Sequence, residues 1–231
     1  MPSKALDTTN DSSVAKVSQP VLDLDADDIV LPRIYIGQPQ SNAVSAKMAE
    51  VGDIYSACSQ DGTDAEVLLA DKDMENSDGI TMHVLSMRKG KSYKDPETGE
   101  FNSYTFNDPD APFEADTTYN YMVCLPEFDA QLPYKLLLKR SGAPTARLIN
   151  TILSKHINRG PCWEVPLLLK SFKRNNPKGA SGVYYIARVA RKAIESPAEI
   201  KEHNANIELC VEMASILSPA PSVSDMDMPG I

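Results

Sequence analysis

Residues 80–106 constrain the fold more than any other stretch of the chain. ITMHVLSMRKGKSYK runs from Ile80 to Lys94 and turns basic at its far end. It enters the turn Asp95-Pro-Glu-Thr-Gly99 and returns through Phe101–Phe106. A strand closed by an Asp-Pro…Gly turn and answered by a second aromatic-rich run predicts an antiparallel hairpin, because the turn residues themselves reverse the chain. The hairpin is one part of a larger predicted sheet.

The sequence supplies that sheet. Ile29–Ile36, Val51–Ala57 and Glu66–Ala70 are strand candidates before the hairpin, the last two separated by the turn-like Asp61-Gly62. Pro32 predicts an edge position for the first of them, since proline donates no ladder hydrogen bond. After the acidic loop 107–116 come Tyr119–Leu125 and Leu132–Lys139. Trp163–Lys173 and Val183–Lys192 form a later pair joined by the loop Arg174–Gly182.

Two helices complete the pattern. Residues 143–157 carry Pro144 in the first turn and Gly160 just past the end, with Leu148, Ile149, Ile152, Leu153 and His156 on one face. Ser196-Pro-Ala-Glu199 is a capping box. It opens a helix to about Leu217 with Ile200, Ile207, Val211 and Ile216 as its apolar stripe. The class predicted is mainly β with two helices (α+β). From residue 80 onward the element order is that of a five-stranded oligonucleotide-binding (OB) barrel, whose helix lies between its third and fourth strands. The earlier strands are N-terminal additions and the last helix a C-terminal one.

Around the domain assigned to residues 28–217, residues 1–27 are polar, acidic and poor in aromatics, which predicts a disordered arm. Residues 218–231, SPAPSVSDMDMPGI, read as a flexible acidic tail. No apolar run approaches the roughly 18 residues that span a bilayer. MPSKALDTTNDSS lacks the apolar middle of a secretory signal, so a cytoplasmic location is expected.

Charge is segregated along the chain. The net formal charge is −9, yet residues 132–192 hold thirteen basic side chains and a single acid, Glu164. Within that segment KSFKRNNPKGASGVYYIARVARK carries seven basic residues, three rings and no acid. A cationic segment interleaved with aromatics suits a polyanion, nucleic acid first.

No catalytic pattern in the sequence is complete. Ser86–Ser92 ends like a phosphate-binding loop but has Leu85 where the pattern needs glycine. His83, His156 and His203 make no helical metal pair, and Cys58, Cys124, Cys162 and Cys210 lack zinc-type spacing. Asp23, Asp25, Asp27 and Asp28 lie in the acidic arm and read as solvated charge. The expectation is no enzyme, no metal and no cofactor.

Single-stranded nucleic acid is held by cations along its backbone and by rings beneath its bases. Alternation puts Lys170, Phe172 and Arg174 on one face of their strand, and Tyr184 and Arg188 on the matching face of the next. Tyr185, Ala187 and Val189 then point to the core, as does Trp163. Lys173 and Lys178 extend the basic set toward the loop. The hairpin adds Arg88, Lys89, Lys91, Tyr93, Lys94, Tyr104 and Phe106.

LPRIYIGQ (31–38), VGDIYSA (51–57), the strand order of 80–192 and the acidic, proline-containing tip together resemble the OB-fold single-stranded-DNA-binding proteins carried by tailed bacteriophages. The resemblance implies a non-enzymatic, sequence-tolerant protein that coats single-stranded DNA during replication, recombination or repair, in the host cytoplasm if phage-encoded. It also implies that Asp225, Met226, Asp227, Met228 and Ile231 recruit replication or recombination proteins. The tip ends in Pro-Gly-Ile, unlike the Pro-Phe of bacterial members. The competing readings are a virion structural or accessory protein with a basic face, and a recombination nuclease.

Overall fold

A computed structural model describes residues 30–59, 61–128, 132–175 and 182–217. The chain divides into Met1–Val30 and Leu31–Ile231, and the second unit is the one considered below. The expected N-terminal arm, Lys178 and the C-terminal tail lie outside the described residues.

The fold is mainly β. Among the described residues nine strands form one curled sheet: β1 (Arg33–Ile36), β2 (Ile54–Ala57), β3 (Glu66–Leu69), β4 (Ile80–Lys94), β5 (Phe101–Thr105), β6 (Asp116–Cys124), β7 (Tyr134–Lys139), β8 (Leu167–Asn175) and β9 (Val183–Arg191). Their order is β3-β2-β1-β7-β6-β4-β8-β9, with β5 paired to β4. Three α-helices are present among the described residues: α1 (Asn42–Ser45), α2 (Ala143–Ser154) and α3 (Pro197–Leu217). The sheet therefore has more strands than the five-stranded barrel expected, because β1–β3 join the same ladder. The four-residue α1 carries too little periodicity to be read from sequence.

The long strand β4 organises the sheet. Ile80–Met82 pair with Leu167–Leu169 of β8, His83–Ser92 pair with β6, and Gly90–Lys94 pair with β5. A register shift between Val84 and Ser86 marks a bulge, which allows one strand to serve two differently directed partners. Gly90 is needed where β5 crosses. A Cβ there would stand 2.9 Å from the Tyr104 carbonyl oxygen.

β1 is not at an edge. It lies antiparallel to β2 and parallel to β7. Pro32 precedes the first paired residue, and its carbonyl accepts a hydrogen bond from Lys135 N at 2.8 Å, so its missing N–H costs the ladder nothing.

Inside the curl, Val84, Tyr121, Val123, Leu136, Leu138, Leu169, Ala187 and Val189 form the core with Ala146, Ile149 and Leu153 of α2. Two hydroxyls lock that helix in place. Tyr121 Oη lies 2.9 Å from Asn150 Oδ1, and Thr145 Oγ1 donates to the Ala187 carbonyl at 2.5 Å. Burial pushes the Tyr121 phenol far up. The helix face differs slightly from the expected one: Thr145, Ala146, Ile149 and Leu153 are buried, while Leu148 is exposed.

α3 begins at the expected capping box. Glu199 N donates to Ser196 Oγ at 3.2 Å, and Ser196 N donates to Glu199 Oε2 at 2.7 Å. Its packing face is not the Ile200–Val211 stripe, both of which are about half exposed. Cys210 and Met213 are buried instead, against Leu85, Cys124, Met122 and Trp163. His203 stacks on buried His83 at 5.7 Å between ring centroids. The bulge in β4 supplies the partner surface, since Leu85 belongs to this cluster and not to the core inside the curl. No helix among the described residues is long and apolar enough to cross a membrane.

Candidate functional site

Strand alternation explains where a site can form. On β7, Tyr134, Leu136 and Leu138 are buried while Leu137 is 42% exposed, so the triple leucine is not wholly core. Leu137 stands opposite Asn120 and Lys139 opposite Thr118. Thr118 in turn stands opposite Gly90, and Asn120 opposite Arg88. On the far side of β7, Arg33 pairs with Lys135, which brings Arg33 and Tyr35 alongside. Four strands thus contribute to one outward-facing surface, and β5 adds a fifth through its pairing with β4.

That surface is concave. A depression of about 440 Å³ is lined by Arg33 and Tyr35 of β1, Leu137 and Lys139 of β7, Thr118 and Asn120 of β6, and the β4–β5 hairpin through Lys91, Phe101, Ser103 and Tyr104. A second crevice of about 200 Å³ shares Tyr35, Leu137 and Lys139 with it and reaches Ile186 of β9. Neither lining contains an aspartate or glutamate. Asp116, nearby on β6, is held by Arg140 at 2.6 Å.

Its aromatic side chains are positioned in advance. Tyr35 stacks on Tyr55 with centroids 5.3 Å apart and planes 19° from parallel. Tyr55 is itself buried among Ala43, Ala49, Ala57 and Ala65, and that burial pushes its phenol up. Phe101 is 66% exposed and has two ammonium groups, Lys94 and Lys139, each 5.3 Å from its centroid. Cation–π attraction holds both charges beside the ring.

Between β1 and β9 there is no ladder; a side chain takes its place. Gln38 Nε2 donates to the Tyr185 carbonyl at 2.7 Å, and Tyr185 N donates to Gln38 Oε1 at 3.0 Å. The primary amide makes the pair of hydrogen bonds that a neighbouring strand would make. This closes the crevice at one end.

The residues singled out from sequence fall into three groups. Lys91 and Tyr104 line the groove, Lys94 flanks Phe101, and Arg88 shares the groove face by its pairing with Asn120. Lys89 seats its ammonium 3.4 Å from the centroid of Phe106, and neither of these two nor Tyr93 belongs to the groove lining. On the β8–β9 ribbon, Phe172 is exposed with the Arg188 guanidinium 5.2 Å from its centroid, and Arg174 pairs with Tyr184. Ile186 links this patch to the crevice. Lys173 is exposed but pairs with Tyr185 on the other face. Lys170 is committed elsewhere, its ammonium bonded to the Ser77 carbonyl.

Arg33, Tyr35, Phe101, Asn120, Leu137 and Lys139 were not anticipated. The signal lay in the alternations Arg33-Ile-Tyr-Ile36 and Tyr134–Lys139, where every second side chain had to face outward. Comparison with protein-family models, curated proteins and solved structures finds no match for the chain.

Proposed function

We propose that the curled sheet is an elaborated OB barrel and that its groove binds single-stranded DNA, non-enzymatically and with little sequence preference. The observation that carries this is the acid-free groove joining Tyr35 and Phe101 to Arg33, Lys91, Lys94 and Lys139. Rings at its floor and wall suit base stacking, and cations at its margins suit phosphates. The topology supports it too. A long first strand pairs with two partners, a helix separates the third and fourth barrel strands, and hairpins flank the groove on both sides, as in OB domains. On this reading β4, β6, β7, β8 and β9 are the barrel strands, and β1 fills the gap between β7 and β9. Recruitment of replication or recombination proteins would be the work of the acidic tail.

Fluorescence anisotropy with labelled oligonucleotides tests the proposal. Single-stranded DNA is expected to bind at low salt, and a duplex of the same sequence much more weakly. Phe101→Ala or Tyr35→Ala should each weaken single-strand binding by about 5- to 150-fold, from roughly 1–3 kcal/mol per stacked base. No binding, or equal affinity for duplex, would overturn it; the second outcome favours a structural protein with a polyanion-binding face.

A further inference from the structure

A second cationic depression lies away from the groove. Lys155 at the end of α2, Arg159 in the turn after it and Arg191 at the end of β9 surround a concavity of about 530 Å³. Its apolar lining is Ile152 and buried Val165, and His156 is at its wall. It shares no lining residue with the groove. Arg191 is seven residues from Tyr184, about 23 Å along an extended strand. Among the described residues none of the three cations pairs with a carboxylate. The nearby carboxylate of Glu164 is already engaged, with Oε2 3.0 Å from His156 Nε2.

Three cations delivered by two segments, the turn that follows α2 and the end of β9, over an apolar floor and with no acid in the lining, are repulsive when empty. Like charges gathered over low-dielectric walls focus a positive potential into the concavity. Two guanidinium groups offer forked donors that match the oxygens of a phosphate, and the lysine adds a point charge. We infer that this depression is a second anion site, taking a phosphate group through Arg159, Arg191 and Lys155. The inference does not depend on the groove, so either can fail alone.

His156 is a built-in reporter. In the full chain, its ring signals followed by NMR at constant ionic strength should move saturably with inorganic phosphate and not with chloride. An oligonucleotide lacking terminal phosphates distinguishes the source. If it moves the same signals, the ligand is a backbone phosphodiester; if only inorganic phosphate or a 5′-phosphorylated strand does, it is a monoester. Arg159→Gln with Arg191→Gln should weaken the response about tenfold or more, while Phe101→Ala leaves it intact. The ring signal of buried His83 checks that the variant is folded. Absence of a saturable shift with every probe, or the same shift with chloride, would overturn the assignment. So would unchanged phosphate binding in the folded double variant.

Discussion

Tyr35 and His83 show how much one side chain's role depends on what covers it. Both sit on strands, and both stack on another ring. Tyr35 keeps one face open to the groove; His83 is fully buried. His83 Nδ1 is 2.6 Å from the Trp163 carbonyl, which can only accept, so Nδ1 carries a proton. Nε2 has no partner. Burial lowers the His83 pKa below the ordinary 6.5, with His203 and Lys192 adding to the effect against the Trp163 hydrogen bond. Because the folded value lies below the unfolded one, this stabilisation is complete above about pH 6.5 and is lost as pH falls toward the lowered value. Urea unfolding should show that loss, up to about 1.4 kcal/mol per pH unit. His83→Asn, which keeps a donor for Trp163, should flatten the slope; an unchanged slope would assign it to another group. The sequence showed His83 in a strand, but its neighbours come from residues 163 and 203, too far along the chain to be inferred from periodicity.

Local chemistry determined the elements more reliably than their partners. β4 was legible to its last residue because its alternation and the Asp95–Gly99 turn are contiguous. The pleat also separated Tyr185, Ala187 and Val189 from Tyr184 and Arg188 correctly. The packing face of α3 was misread because its exposed apolar residues outnumber its buried ones, and only the bulge at Leu85 shows which side has a partner. The β1–β9 seam left no local trace, since Gln38 acts as a surrogate for backbone. Gln38→Ala should cost about 1–2 kcal/mol in unfolding free energy for two lost hydrogen bonds. It should also speed hydrogen exchange at the Tyr185 amide. Exchange at the wild-type rate would mean that the seam is held by packing alone.

For the whole molecule, the net charge of −9 gives no hint of the groove, because its cations come from segments far apart in the chain. Arg33 lies in the acidic first third, Lys91 and Lys94 in the hairpin, and Lys139 in the basic middle. If four phosphates are neutralised there, the logarithm of single-strand affinity should fall with log salt at a slope of about −3. A slope near zero would exclude these cations as phosphate contacts. The pairing of Arg33 with Lys135 has a further consequence. Residues 33–57 cannot finish their ladder until a segment about a hundred positions later has folded back beside them, and loop closure on that scale is slow. The domain should therefore refold in milliseconds to seconds, and β1–β3, waiting for β7, are where an interrupted chain would expose an unpaired edge to its neighbours.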